Sequence, residues 1–306
     1  RRLSAGAEGL RVCGPASRTQ DSEEMLRSLW IKVPTLLLAG AALWWLEGGV
    51  AIAAAVGIVL VGSAALMAFV LHPNAGAWAK TVWRAPSQTD AVALTFDDGP
   101  DPAGTLEIAR ILEEHGARGA FFVVGERAEA HPEIVRALHE AGHLVCNHSQ
   151  THSVAIHFSL WGTARRELRA CNAAIASLIG REPTLFRAPQ GIKNPALGDV
   201  IGELGMTAVG WDVRGLDSMS DDAEAIERRV LRGARPGSVI MLHDGTGFGG
   251  RADRSATIEA LPRILAGLRE RGLRFARLDE LLELEPYRAP SSAADPAADA
   301  SPATSA

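Results

Sequence analysis

Residues 91–100 read AVALTFDDGP, a largely apolar run that ends in two aspartates, a glycine and a proline. Similar short apolar runs recur along the chain, with amphipathic stretches between them. Continuous apolar strands that alternate with helices are typical of a parallel sheet covered by helices on its outer face. The sequence therefore predicts an α/β domain over residues 91–284.

The order of these runs predicts the architecture of the domain. Strands are predicted at 91–96, 120–124, 144–146, 184–186, 207–211, 238–242 and 274–276, and helices at 106–115, 132–141, 163–179, 221–232 and 257–271. About seven strand–helix units fit a closed or nearly closed barrel better than an open sheet.

An apolar region at residues 33–71 precedes the domain. A transmembrane helix needs about 20 apolar residues, and residues 49–71 meet that length alone. The shorter stretch 33–46 is either a second span, with Trp44 and Trp45 in an aromatic interface belt, or a signal-peptide hydrophobic region. We expect a transmembrane region of one or two helices and a membrane location, in a bacterial-type inner membrane.

Two topologies remain open for the side of the membrane that carries the domain. In a two-span hairpin, the basic residues that flank the apolar region share one side, and the positive-inside rule makes that side the cytoplasm. These residues are Arg27, Lys32, Lys80 and Arg84, with Glu47 on the other side. A single span with a cytoplasmic N-terminus places the domain outside.

The other segments are read from their composition. Residues 1–32 form an N-terminal segment with Met25 as the expected natural start, and residues 73–90 form a polar linker. Residues 286–306 are rich in Pro, Ala, Ser and Asp and are expected to be disordered. A net charge of −5 and a pI near 6.0 give no electrostatic case for a nucleic-acid partner. Three cysteines are too few for a disulfide framework.

Polar side chains cluster at or just after the carboxyl ends of the predicted strands. They belong to five segments: TFDDG at 95–99, HSQTH at 148–152, RAPQG at 187–191, WDVRGLD at 211–217 and LHD at 242–244. Barrel enzymes build their active sites at this face of the sheet, from loops that follow several strands. We therefore expect the five segments to converge on one site.

The second segment indicates a metal site. His148 and His152 are four residues apart, so a helical turn would place both imidazoles on one side. Two histidines and one carboxylate form a three-ligand site with positions left for water and substrate. A divalent metal there lowers the pKa of a water molecule and polarises a carbonyl. Of Asp97 and Asp98, one can then bind the metal while the other lies beside the water.

The remaining segments indicate an acid and its supports. His243 ends an apolar run, and its imidazole is suited to protonating a leaving amine near neutral pH. Arg187 is either a surface salt-bridge partner or a charge that keeps Asp97 ionised and oriented. We expect Asp217 to orient and tune His243 in a similar way.

In their order, the five segments resemble the motifs of the NodB-like polysaccharide deacetylases, carbohydrate esterase family 4. The resemblance covers residues 91–284 and implies a distorted barrel of seven strands. The expected fold class is therefore α/β, a distorted (β/α)7-type barrel preceded by an N-terminal transmembrane region. Ser218 departs from the family, which often has tryptophan there, so the substrate-facing wall differs.

The resemblance also implies a role for each residue that matches a motif. The implied roles are Asp97 as catalytic base, Asp98, His148 and His152 as metal ligands, Arg187 as the group that holds the base, Asp217 as the residue that tunes the acid, His243 as general acid, Leu242 as a wall of the acetyl pocket and the backbone N–H of Asp101 as an oxyanion donor. Trp211 is a further candidate for substrate binding. Zinc suits the ligand set, and cobalt or nickel binds by the same ligand logic.

These implications lead to an expected function with two alternatives. We expect a membrane-anchored, metal-dependent hydrolase that removes N-acetyl groups from amino-sugar residues of a peptidoglycan- or chitin-like glycan. A deformylase or deacetylase of a polyprenyl-linked sugar is the first alternative, which a cytoplasmic domain would favour. An inactive carbohydrate-binding module is the second, and the complete set of acid, base and ligands argues against it.

Overall fold

A computed structural model of the chain describes residues 17–74, 76, 78–85, 88–158, 160–247 and 253–290. Residues 1–16 of the N-terminal segment and residues 291–306 of the predicted disordered tail lie outside the described residues. The chain divides into two compact units, with the boundary between Val70 and Leu71.

The first unit contains the helices α1 (Ser17–Trp45) and α2 (Gly48–Leu71). Within α2, Gly48–Ala68 has a mean hydropathy of 2.5 over 21 residues and is long and apolar enough to cross a membrane. The apolar part of α1, Ile31–Trp45, is shorter than that. Among the described residues, α2 is thus the candidate span.

The described residues of the second unit form strands and eight further α-helices. The strands are β1 (Thr81–Val82), β2 (Ala91–Asp97), β3 (Ala120–Val123), β4 (Leu144–Asn147), β5 (Glu182–Pro183), β6 (Leu185–Phe186), β7 (Thr207–Val209), β8 (Val213–Arg214), β9 (Val239–His243), β10 (Arg274–Phe275) and β11 (Tyr287–Arg288). The helices are α3 (Thr105–Glu114), α4 (Gly125–Ala130), α5 (Pro132–Glu140), α6 (Trp161–Ile179), α7 (Pro195–Glu203), α8 (Ala223–Gly233), α9 (Ser255–Glu270) and α10 (Leu278–Leu282).

The main sheet is parallel throughout, in the order β1-β7-β6-β4-β3-β2-β9-β8, with β10 beside the start of β2. It curls into a partly open barrel whose outer face is covered by helices, so the predicted (β/α)7-type fold class is confirmed. The predicted strand at 274–276 is β10. Strand β8 was not predicted, because two residues are too few to show an alternating pattern.

Side chains along the strands alternate between two cores, as the pleat of a β-strand requires. On β2, Leu94 and Phe96 pack outward against helices, and the ring of Phe96 stacks on that of Phe121 with centroids 5.1 Å apart. Ala93 belongs to the inner core. By the same alternation Asp97 lies on the inner face, at the carboxyl end of the strand.

Two segments predicted to be irregular take part in the fold. Residues 81–82 of the predicted linker form β1, which pairs with β7. Residues 287–288 of the predicted disordered tail form β11, which pairs antiparallel with β5. The phenolic Oη of Tyr287 also accepts the backbone N–H of Val145 at 2.8 Å. The ordered domain therefore extends beyond 91–284 on both sides. Pairing with the distant strands β7 and β5 gives a fixed conformation to segments whose sequences show no strand or helix periodicity.

Candidate active site

A cavity of about 290 Å³ lies at the carboxyl ends of the parallel strands. Small-molecule sites usually measure about 300–1,000 Å³, so its size suits a compact ligand. Its lining residues are Asp97, Asp98, His148, His152, Gln190, Trp211, Arg214, Leu216, Ser218, Met219, Met241, His243 and Gly247. Residues from all five segments thus meet at one place, either in the lining or directly behind it.

Three of the lining residues form a cluster of metal-type donors. Asp98, His148 and His152 each place one donor atom within 4.8 Å of the others. The Nε2 atoms of His148 and His152 lie 3.3 and 3.0 Å from Oδ1 of Asp98. The Nδ1 of His148 is 2.8 Å from the carbonyl oxygen of Arg187. Since a carbonyl only accepts, Nδ1 carries a proton, and Nε2 is the ring atom that faces Asp98 and is placed to bind a cation.

Electrostatics in the cluster favour a charged carboxylate. Burial raises the pKa of Asp98, but hydrogen bonds with His148 and His152 outweigh burial and hold the pKa well below its usual range. A buried carboxylate and two imidazoles are a donor set that fits a divalent cation such as zinc.

The loop that carries the two histidines is not the helical turn that their spacing predicted. Ser149 and His152 have φ angles of 69° and 52°, in the left-handed region. The backbone N–H of Ser149 donates to Oδ1 of Asn147 at 2.8 Å, and that of His152 donates to Oγ of Ser149 at 3.1 Å. Glu167 on α6 accepts two more N–H groups of the loop, at 3.1 and 3.0 Å. Side-chain hydrogen bonds therefore hold a strained loop of the kind found at functional sites.

Asp97 faces the fully buried guanidinium of Arg187. Nη1 of Arg187 donates to Oδ1 of Asp97 at 2.6 Å and to Oγ1 of Thr95 at 2.8 Å. Its Nε and Nη2 donate to the carbonyls of Val209 and Gly210 at 3.3 and 3.1 Å. Arg187 is therefore an internal ion-pair partner and not a surface one, and its planar fork fixes the orientation of the carboxylate.

His243 is paired with the buried carboxylate of Asp217. Nδ1 of His243 lies 2.9 Å from Oδ1 of Asp217, and Oδ2 accepts the backbone N–H of His243 at 2.8 Å and the hydroxyl of Thr257 at 3.0 Å. Burial lowers the pKa of His243, but the charge of Asp217, helped by Asp98 and Asp97, raises it to about 9. This pairing therefore favours the protonated form of the imidazole.

The structure contradicts the predicted position of Leu242. This side chain is fully buried in the outer core with Phe96 and Ile240, on the helix-covered face of β9. Met241 and His243 alternate to the inner face and line the cavity. The prediction that Leu242 forms a wall was therefore wrong, and Met241 lines the cavity in its place.

The predicted role of Asp101 is wrong for a different reason. Its backbone N–H already donates to Oγ1 of Thr105, at 2.8 Å, in the turn that starts α3. The residue borders a separate small cavity beside Arg254 and Ser255 and does not line the site. An N–H engaged in this way is not directed at the cavity.

Several residues of the site were missed by sequence reasoning. Gln190 lines the cavity with a φ of 49°, and Arg214 lines it from the inner side of β8. Arg127 lies behind the site and donates to the carbonyls of Asp98 and Thr246, which joins the loops after β2 and β9. Side chains alternate along a strand, so the position of His243 on the inner face would have predicted Met241 there too. No local sequence pattern marks Gln190, Arg214 or Arg127.

The comparisons with known proteins agree with this geometry. A family model described as polysaccharide deacetylase matches residues 84–209. A peptidoglycan-N-acetylglucosamine deacetylase of Bacillus cereus is 33% identical over 204 residues, which cover 65% of this chain and 92% of the relative. A chitooligosaccharide deacetylase of Sinorhizobium fredii is 34% identical over 198 residues, which cover 63% of this chain and 92% of the relative.

A solved structure extends the agreement to three dimensions. The crystal structure of a peptidoglycan N-acetylglucosamine deacetylase superimposes with a TM-score of 0.64 and 30% identity, over 68% of this chain and 95% of that one. The family and the enzyme class predicted from the motifs are therefore confirmed. This chain belongs to the polysaccharide deacetylases, the NodB-like hydrolases of carbohydrate esterase family 4 that act on amide bonds.

Proposed function

We propose that this chain is a membrane-anchored, zinc-dependent deacetylase that removes acetyl groups from N-acetylglucosamine residues of a peptidoglycan- or chitin-like glycan. The observation that carries the proposal is one cavity lined by three metal-type donors, a carboxylate oriented by Arg187 and an imidazole paired with a buried carboxylate. The relatives named above are peptidoglycan and chitooligosaccharide deacetylases, which supports an acetylated amino sugar as substrate.

The environments of two side chains support Asp97 as the base and His243 as the acid. Arg187 orients the carboxylate of Asp97, which takes the proton of the water that attacks the amide carbonyl. Asp217 keeps a proton on His243, which gives it to the departing amine.

The cation site is proposed from the same geometry. A divalent cation held by Asp98, His148 and His152 would polarise the amide carbonyl and make the attacking water more acidic. Zinc suits two imidazoles and a carboxylate, and cobalt or nickel can replace it at this donor set. Met241 and Trp211 form the apolar side of the cavity next to these groups.

The test is a deacylation screen with the full chain in detergent. Acetate release is measured on chitin oligomers, peptidoglycan fragments and a polyprenyl-linked N-formyl sugar, before and after treatment with a chelator. We expect acetate release from the glycans, its loss with the chelator and its return on addition of zinc. Formate release from the lipid-linked sugar alone would support the alternative function, and turnover that resists the chelator in metal-free buffer would contradict the cation site.

We expect Asp217→Asn to move the alkaline limb of the pH–rate profile to lower pH. The charge of Asp217 raises the pKa of His243, so its removal lowers that pKa. The acid must be protonated to act, so activity falls as pH rises through the pKa of His243. With a lower pKa, this fall occurs at lower pH. The measurement is kcat/KM across the neutral and alkaline range.

The matched control for this variant is Asp212→Asn. Asp212 is a neighbouring carboxylate that hydrogen-bonds Ser238 and the backbone N–H of Val239 and does not line the cavity. Its removal should leave the alkaline limb in place. An Asp217→Asn enzyme with an unmoved limb would show that another group is the acid.

Membrane anchoring by α2 is part of the proposal, and it bears on the substrate. The apolar window at Gly48–Ala68 has the length of a span. Reporter fusions after residue 290 would locate the catalytic domain. An external domain fits a polymeric glycan, whereas a cytoplasmic domain favours the lipid-linked sugar.

A further inference from the structure

We infer that Pro73 and Asn74 are positioning residues of the active site, which hold two of its loops in place. The inference rests on the proposed function and extends it to a segment that the sequence had marked as linker. Leu71 is the last residue of α2, so these two residues follow the apolar helix almost directly. The loops they hold are those that follow β6 and β7.

In the loop after β7, Asn74 takes the place of a pairing strand. Nδ2 of Asn74 donates to the carbonyl oxygen of Trp211 at 2.6 Å, and its Oδ1 accepts the backbone N–H of Trp211 at 3.2 Å. Strand β1 pairs with β7 as far as the bond from the N–H of Gly210 to the carbonyl of Val82, at 2.9 Å. Trp211 is the next residue after Gly210, and β1 offers no hydrogen-bond partner to it. The side chain of Asn74 pairs with the backbone N–H and carbonyl of Trp211 instead.

The loop after β6 contacts Pro73 in two ways, through a hydrogen bond from the buried side chain of Lys193 and through close packing at Gly191. Nζ of Lys193 donates to the carbonyls of Pro73 at 2.7 Å and Gly191 at 3.2 Å. A Cβ on Gly191 would lie 2.5 Å from Cβ of Pro73 and 2.7 Å from Cη2 of Trp211. A Cβ on Gly210 would lie 2.2 Å from Oδ1 of Asn74. Glycine at both positions is therefore what admits the segment so close to the loops.

These contacts reach the catalytic groups through one residue, Trp211. Its indole lines the cavity and lies 5.5 Å from the guanidinium carbon of Arg187. Arg187 in turn donates to the carbonyl of Gly210 and to Asp97. A shift of the backbone at 210–211 would thus move both the cavity wall and the group that orients the proposed base. Misplacement by about 1 Å at such a site costs roughly 100-fold in rate.

Replacement of Asn74 in the full chain tests the inference. We expect Asn74→Ala to lower kcat/KM for acetate release by about 10- to 100-fold, the range expected for misplacement of about 1 Å or less. Metal content and the thermal midpoint should stay near the wild-type values. Hydrogen exchange at residues 210–211 should become faster, because the N–H of Trp211 loses its acceptor. Asn74→Gln keeps both hydrogen-bonding groups and should recover part of the activity.

The control is Lys80→Ala, which removes an exposed side chain from the same segment and should change none of these quantities. Wild-type kcat/KM and exchange in Asn74→Ala would overturn the inference. So would a loss of activity that matches a loss of folded protein in both Asn74 variants. Absence of acetate release from the wild-type enzyme would refute the proposed function instead, and exchange at 210–211 would still test the positioning contact.

Discussion

With Asp97 as the proposed general base, the Asp97→Asn enzyme should lose about 100- to 10,000-fold in kcat, while it keeps its fold. An amide cannot take the proton of the attacking water. The introduced amide would still offer an oxygen to Arg187, which also keeps its bonds to Thr95, Val209 and Gly210. The buried guanidinium therefore keeps hydrogen-bond partners but loses its counter-charge, so the variant should fold and be less stable than the wild type.

Three measurements on the same preparation separate chemistry from stability. They are the rate of acetate release, the content of divalent metal per chain and the thermal midpoint. The matched control is Asp90→Asn, which removes a carboxylate from an exposed pair with Arg274 beside the start of β2. Exposed pairs contribute little to stability, so this variant should behave as wild type. Near-wild-type turnover by Asp97→Asn would mean that another group accepts the proton.

Removal of His243 should have an effect of similar size, a fall of about 100- to 10,000-fold in kcat for loss of the general acid. An amine is a poor leaving group until it is protonated, and His243 lines the cavity with a pKa that the charge of Asp217 raises to about 9. His243→Ala should also lose the alkaline limb that titration of the imidazole produces. Added imidazole should restore part of the rate, because the substitution leaves space for it.

A second variant separates loss of the acid from loss of the charge pair. His243→Ala leaves the buried carboxylate of Asp217 without its cation, although the hydroxyl of Thr257 and the backbone N–H at 243 still donate to it. His243→Asn supplies an amide donor but no transferable proton, so it should be as inactive as His243→Ala and more stable. His139→Ala, which removes a half-buried histidine outside the cavity, is the control for substitution itself. An active His243→Asn enzyme would contradict the assignment of the acid.

The positions of Leu242 and Met241 illustrate where reading of motifs was insufficient. Both are apolar neighbours of His243 in a five-residue strand, and only the alternation of the pleat separates them. Once Asp97 is known to face inward, the pairing of Asp97 with His243 in adjacent parallel strands places Met241 inside and Leu242 outside. The register between strands is a long-range property that the apolar run does not contain.

The histidine loop and Asp101 show a similar limit for local geometry. A spacing of four residues is compatible with a helical turn, yet Asn147 and Glu167 hold the loop in another conformation through side-chain hydrogen bonds. The N–H of Asp101 was available in principle, but Thr105 accepts it. Such competition for hydrogen-bond partners depends on which side chains the fold brings within reach.

The resemblance of the five segments to known motifs predicted the family and the enzyme class. Residue types and their order were sufficient to predict the parallel α/β class and the meeting of Asp97, Asp98, His148, His152 and His243 at one cavity. They suffice because strand periodicity and the donor chemistry of Asp, His and Arg are local properties of the chain. The tertiary structure was needed to show that Arg187 is an internal partner of Asp97, that Met241 lines the site, and that Pro73 and Asn74 pack on loops more than 110 residues away. These features depend on contacts between distant segments, whose closeness arises only when the sheet has curled and its strands have come into register.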